Sequence, residues 1–203
     1  FTQRPDLTVM GAFSGLEIAC WDILGKAHER PVYALLCGLM NKRIRSYSYL
    51  YPLEHHDINA FWNDSEMAVE SAATMVEQGF TAVKFDPAGP YTLRGGHQPS
   101  LSDIERSVTF CRRIRETVGK RADILFGTHG QFTTAGAIRL ARQLEPYDPL
   151  WFEEPCPPDN LLEFSKVASQ CRIPVATGER LTTKAEFSTL LRTGGVSILQ
   201  PAL

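Results

Sequence analysis

The chain has 203 residues, enough for one good-sized core. Its 43% hydrophobic and 22% charged residues mark a globular domain and exclude a disordered, charge-rich segment. A net charge of −2 offers no basic footprint for nucleic acid or for an anionic membrane surface. No uninterrupted apolar run reaches the ~18 residues of a spanning helix. The first residues, Phe1-Thr2-Gln3-Arg4-Pro5-Asp6, lack the charge and apolar block of a signal peptide. They also lack an initiator Met, which predicts a start within a longer sequence or a processed end. Cys20, Cys37, Cys111, Cys156 and Cys171 are scattered, with no CxxC. They read as reduced thiols of a cytoplasmic protein. Cys20 and Cys111 fall on apolar helix faces, as small buried hydrophobes.

Residues 1–41 read as a helical lead-in. Ser14-x-x-Glu17 has the form of a capping box opening a helix through Ile18, Trp21 and Leu24. Pro31 begins a second short helix, which Gly38 closes. From residue 42 a βα alternation takes over. A strand over 43–51 carries alternating Tyr47, Tyr49 and Tyr51, and a helix over 65–78 follows, stopped by Gly79. The next strand is 82–86. The stretch 87–99, rich in Gly and Pro, reads as a long loop of the kind that covers binding sites. Ser102-x-x-Glu105 predicts a helix with Ile104, Val108, Cys111, Ile114 and Val118 on one face. A strand over 124–126, a helix over 134–144 and a strand ending at Glu153 come next. A helix over 161–170, a strand ending at Glu179 and a helix capped by Thr183-x-x-Glu186 then lead to a last strand over 196–200.

Strands alternating with helices predict an α/β fold with a parallel sheet. The regular repeat favours a (β/α) barrel of TIM type over an open doubly wound sheet. No Gly-x-Gly-x-x-Gly or Walker loop supports a nucleotide site on the latter. A closed barrel has about eight strands. The chain is therefore expected to be a section of a longer barrel, truncated after the sixth.

Active sites of such barrels lie at the C-terminal ends of the strands. Those ends deliver Lys84 and Asp86, then Gly127 and His129, then Glu153, then Glu179. Residues two apart on a strand share a face, so one cation, one imidazole and several carboxylates are predicted to converge. Glu153 and Glu179 stand 26 residues apart, one βα repeat. A pair of hard oxygen donors on such a rim suits Mg²⁺ and an anionic substrate. Glu154 should point the opposite way and pair structurally. His97, His55, His56 and His28 read as exposed histidines.

Five segments carry a resemblance. They are Ser14–Lys26, Val83-Lys84-Phe85-Asp86, Trp151-Phe152-Glu153-Glu154-Pro155, Thr177-Gly178-Glu179-Arg180 and Ile198-Leu199-Gln200-Pro201. In this order and spacing they resemble the enolase superfamily, in its mandelate racemase/muconate lactonizing enzyme-like branch of sugar-acid dehydratases. The resemblance implies a capping domain before this segment and further barrel strands after it. It implies Mg²⁺ held by acids at the ends of the third, fourth and fifth strands, with Glu153 and Glu179 matching the second and third. The first falls on Gly127, which has no side chain, so the ion would keep two carboxylates plus water or substrate. Lys84 and His129 match catalytic positions. Asp86 stands where racemases carry a second lysine, which disfavours a two-base racemase. Asp86, Gln131 and Arg180 are expected to contact substrate. Ala202 replaces the aspartate that usually follows Gln200-Pro201. The implied activity is that of a lyase, removing water from an aldonate or aldarate to give a 2-keto-3-deoxy acid. An epimerase, racemase or cycloisomerase using the same enediolate, or a catalytically incomplete barrel, remain alternatives. A homo-oligomer is expected, without nucleic acid or membrane partners.

Overall fold

The computed structural model describes residues 6–88 and 96–202. The predicted loop over 87–99 lies largely outside the described residues. The elements, in order, are α1 (Leu7–Ala27), α2 (Val32–Leu35), β1 (Ser48–Tyr49), α3 (Ser65–Glu77), β2 (Ala82–Phe85), α4 (Leu101–Val118), β3 (Asp123–Gly127), α5 (Thr134–Leu144), β4 (Trp151–Glu153), α6 (Leu161–Gln170), β5 (Val175–Thr177), α7 (Lys184–Thr193) and β6 (Ile198–Leu199). A 3₁₀ turn over Glu145–Tyr147 joins α5 to β4. Contacts divide the chain into two units. One holds Phe1–Arg45, Gly178–Phe187 and Pro201–Leu203, the other Ser46–Thr177 and Ser188–Gln200.

The larger unit contains one parallel sheet in the order β1-β2-β3-β4-β5-β6. Each strand pairs with the next in sequence, which is the order of a (β/α) barrel and not of a doubly wound sheet. Register sets the two faces. Tyr49 pairs with Lys84, Lys84 with Leu125 and Leu125 with Trp151, while one layer higher Gly127 pairs with Glu153 and Glu153 with Ala176. The alternate residues Val83, Phe85, Ile124, Phe126, Phe152 and Val175 join the hydrophobic core with Ala72, Ile114, Leu140, Leu144 and Phe164 of the helices. The Phe126 and Phe152 rings stack at 4.5 Å and are fully buried. Packing on one face thus leaves the other free to carry polar groups.

Several boundaries differ from expectation. β1 has only two residues, because pairing with β2 begins at Ser48. β5 ends at Thr177, so Glu179 lies two residues beyond the strand rather than at its last position. The α4 capping box is Ser100 with Asp103, not Ser102 with Glu105. Ser100 accepts from Asp103 N at 3.1 Å, and Asp103 accepts from Ser100 N at 3.1 Å. The Thr183–Glu186 box is present: Glu186 N donates to Thr183 Oγ1 at 3.2 Å, and Thr183 N to Glu186 Oε2 at 2.9 Å.

Two rim segments are tied to the helices that follow them. Ser71 on α3 donates to the Tyr51 carbonyl at 2.9 Å, and Ser107 on α4 donates to the Pro87 carbonyl at 2.8 Å. Each serine stands 20 residues after its acceptor. The equal interval marks the same joint in successive repeats.

In the smaller unit α1 starts earlier than expected. Asp6 is its N-cap and accepts from Val9 N at 3.0 Å, so Ser14 and Glu17 lie inside the helix. An aspartate at the cap outcompetes an internal Ser-x-x-Glu, because four orphan N–H groups exist only at a true helix start. Phe13, Leu16, Ile18 and Ile23 are exposed, and so is Cys20. The expectation of a buried Cys20 is corrected accordingly. With 21 residues and a hydropathy of 1.4, α1 is long and apolar enough to cross a membrane by length and composition. Its apolar residues are interleaved with Glu17 and Asp22, so no unbroken run signals it in the sequence.

All five cysteines are free, with Cys37 exposed like Cys20, and Cys111 and Cys156 buried. Burial pushes the Cys156 thiol up to about 12, and the Glu163 carboxylate adds to the shift. Burial also pushes Cys111 far up. The thiolate is the reactive form. A disulfide reagent at about pH 8 is therefore expected to label Cys20 and Cys37 in the native protein and to reach Cys111 and Cys156 only after denaturation. Rapid native labelling of Cys111 would contradict the packing of α4.

Candidate active site

The end of the sheet in the larger unit gathers polar groups that a core would exclude. Lys84 and Glu153 form a buried ion pair through Nζ and Oε1, their side chains 8% and 4% exposed. Glu153 Oε2 accepts from Trp151 Nε1 at 3.1 Å and from Gln200 Nε2 at 2.7 Å. The Lys84 ammonium also stands 5.9 Å from the Tyr47 ring centre and 5.6 Å from that of Tyr49. Tyr47 in turn packs edge-on against Trp151 at 5.5 Å. An ammonium so placed gains from both the carboxylate and the ring faces.

Gly127 lies at the centre. A Cβ built there would stand 3.1 Å from Asp86 Oδ1, 3.3 Å from Lys84 Cε and 3.9 Å from Glu153 Oε1. The space that a side chain at position 127 would occupy is thus bordered by Asp86, Lys84 and Glu153. Asp86 is buried, and its Oδ2 lies 3.6 Å from His129 Nε2. The turn carrying His129 is fastened to the end of β4. Thr128 N donates to Glu153 O at 3.1 Å, Thr128 Oγ1 to Glu154 O at 2.8 Å and Gly130 N to Glu154 O at 2.7 Å. His129 and Glu154 both have left-handed backbones, φ 47° and 44°. Such conformations cost energy in non-glycine residues and concentrate at functional sites. At Gly130, φ 68°, a Cβ would meet the Cys156 carbonyl at 3.2 Å.

Lys84, Asp86, Glu153 and His129 therefore come together around Gly127. Gln131 is buried in the same turn, with its carbonyl accepting from His97 N at 2.9 Å. His97 is half-buried against the Phe132 ring rather than a solvated loop histidine. In the smaller unit Glu179 and Arg180 follow β5 directly, with Arg180 Nε 3.9 Å from Glu179 Oε1. There Glu179 lines a groove with Met10, Phe13, Glu17 and Leu181. Trp151 and Gln200 were not anticipated as partners of Glu153. The alternation that puts Trp151 on the face of Glu153 was the available signal for the first.

In a second polar cluster His55 is exposed as expected, while His56 departs from the expectation of an exposed histidine. His56, its side chain 4% exposed, and His55 bond Glu70 through their Nε2 atoms, at 2.9 and 3.1 Å. Leu53 N donates to His56 Nδ1 at 3.2 Å, so Nε2 is the nitrogen that carries the proton. That tautomer makes the group a hydrogen-bonded clamp on the segment after β1 rather than a metal-ligand set. Bonds from His56 and His55 hold the Glu70 carboxyl below the usual carboxylate range.

Glu153 can accept one further partner. Each carboxylate oxygen offers two lone-pair directions. Among the described residues, Lys84, Trp151 and Gln200 use three of the four, which leaves one on Oε1 for a hard cation.

Comparison with known proteins agrees with the barrel-type strand order. The enolase C-terminal domain-like family matches residues 67–203. A D-xylonate dehydratase of Haloferax volcanii is 35% identical over 198 residues, 96% of this chain and 47% of that protein. A mandelate racemase/muconate lactonizing enzyme-like protein from Roseovarius sp. TM1035 superposes with a TM-score of 0.96 at 70% identity, covering 100% of this chain and 51% of the other. A mandelate racemase/muconate lactonizing enzyme from Sulfitobacter sp. gives 0.95 at 68% identity, with 100% and 51% covered. The chain thus spans about half the length of these relatives. Enolase superfamily members typically use a divalent metal. By its sheet order, its polar strand ends and this match over two-thirds of its length, the chain belongs to the enolase C-terminal domain-like family of the enolase superfamily.

Proposed function

We propose that this chain carries the core of an acid-sugar dehydratase, a hydro-lyase acting on an aldonate or aldarate in the cytoplasm, as part of a homo-oligomer. The observation that carries the reading is the buried polar group at the sheet's end, Lys84 on Glu153 with His129 beside Asp86. The likeness to a D-xylonate dehydratase supports the substrate class.

The reaction removes the proton α to a carboxylate and expels the β-hydroxyl. An α-proton in that position is weakly acidic, so positive charge must face the developing dianion. Mg²⁺ is the proposed ion, with Glu153 and Glu179 as the residues that would hold it; when bound it supplies positive charge opposite the substrate carboxylate. The lone-pair direction left on Glu153 Oε1 suits such an ion, and Gly127 leaves a place to water or substrate. Lys84 acts as electrostatic partner of the carboxylate or as base. His129 moves a proton at the reacting carbon or oxygen. Asp86, Gln131 and Arg180 are the proposed substrate contacts.

Incubation with a panel of aldonates and aldarates, followed by semicarbazide detection of 2-keto acid, tests the reading. At least one acid is expected to give product, and Glu179→Gln is expected to lower turnover by about 10²-fold or more. Unchanged turnover in that variant would refute its metal role.

A further inference from the structure

We propose that Asp86 is the positioning residue of His129, and that Gly127 is the feature that makes room for the pair. This rests on the dehydratase reading for its chemistry but not for its geometry. Three observations support it. Asp86 is a carboxylate with 1% of its side chain exposed, and its Oδ2 lies 3.6 Å from His129 Nε2. A buried carboxylate is costly unless a cation or donor meets it. The His129 ring is 38% exposed, so it can meet both Asp86 and a solute. Its backbone is set at φ 47° by a turn bonded to Glu153 and Glu154 carbonyls, which fixes where the ring stands. Finally, Gly127 stands directly against Asp86: a Cβ there would be 3.1 Å from Oδ1. An acidic side chain at 127 would crowd that oxygen and place a like charge beside it.

The pair assigns atoms. Nε2 is the nitrogen turned to Asp86, and the proposal gives proton transfer with the substrate to Nδ1. When Nδ1 takes the α-proton, the C–H electrons remain on the substrate and the imidazolium formed is stabilised by Asp86. The same proton can then pass to the departing β-hydroxyl. The C–O pair leaves with that oxygen as water, and the ring returns to neutral. Among the described residues, other charged or titratable groups around this turn are the Lys84–Glu153 ion pair, Glu154 just after β4 and His97, which is strapped to Gln131 and Thr133.

The test is the NMR titration of ¹³C-labelled histidines in the full chain, with the His129 signal assigned by its loss in His129→Gln. In Asp86→Asn the ring is expected to need about tenfold more protons for half-protonation than in the unmodified chain. Asp86→Glu is expected to restore most of that difference. With an active preparation, Asp86→Asn should lower kcat and shift the pH profile of kcat in step with the His129 midpoint. An identical His129 midpoint in the unmodified chain and in Asp86→Asn overturns the pair. Should Asp86→Asn fail to fold, the unmodified chain decides alone: a midpoint at or below about 6.5, the value of a free imidazole, overturns it. An Asp86-dependent midpoint in a protein that dehydrates none of the acids upholds the pair and overturns the dehydratase reading.

Discussion

Lys84→Met is expected to cost about 3–5 kcal/mol of folding stability, read from urea denaturation. The side chain it removes is a buried ammonium. What it leaves is Glu153, whose carboxylate then sits 4% exposed with, among the described residues, the neutral donors Trp151 and Gln200. Uncompensated buried charge is the expensive outcome, not the loss of the pair as such. Glu153→Leu should be costly for the mirror reason, stranding the ammonium against Tyr47 and Tyr49. The double change Lys84→Met/Glu153→Leu removes both charges and is expected to recover most of the loss, while remaining inactive. A single variant costing under about 1 kcal/mol would mean that Lys84 reaches solvent and that the polar centre is not buried.

Phe126→Ala and Phe152→Ala are each expected to cost about 3–5 kcal/mol. Both rings are fully buried on the helix-facing side of the sheet. Each truncation removes transfer free energy and leaves a cavity that close-packed neighbours such as Ile114 and Leu140 only partly fill. The stacked pair adds about 0.5–1.5 kcal/mol beyond area, so the double variant should fall short of the sum. A functional consequence follows from sequence adjacency. Phe126 precedes Gly127 and Phe152 precedes Glu153, so slack on one face moves the polar group on the other. Phe152→Leu, which keeps most of the volume, should lose less stability and more activity than its stability alone explains. Additive losses at the two positions would argue against their contact.

Much of this architecture was readable in advance, for identifiable reasons. α5 and α6 carry apolar residues at helical spacing between clear stops, and their observed bounds match expectation. The parallel sheet followed from the alternation alone. Strand ends were less legible, since an apolar run continues past the last backbone bond, as at Gly178 and Glu179. The α4 start was misplaced because Ser100-Leu101-Ser102-Asp103-Ile104-Glu105 contains two overlapping boxes, and only the backbone distinguishes them. In the site, Lys84, Asp86, His129 and Glu153 were visible because their polarity interrupts buried strands. Gln200 follows a short apolar strand, and nothing in its local sequence signals that its side chain reaches Glu153, 47 residues earlier. His56 was missed because its partner Glu70 lies on the following helix.

The serine joint between α4 and the segment after β2 ties the buried face of a helix to the acidic group at a strand end. Pro87 directly follows Asp86, and its carbonyl is gripped from beneath by Ser107. A hydroxyl on an outer helix therefore sets the angle at which that acidic side chain is presented. If Asp86 positions His129 as proposed, substitutions along α4 that touch no solute are expected to retune proton transfer through this tether, making the helix a lever on the site without rebuilding its mouth.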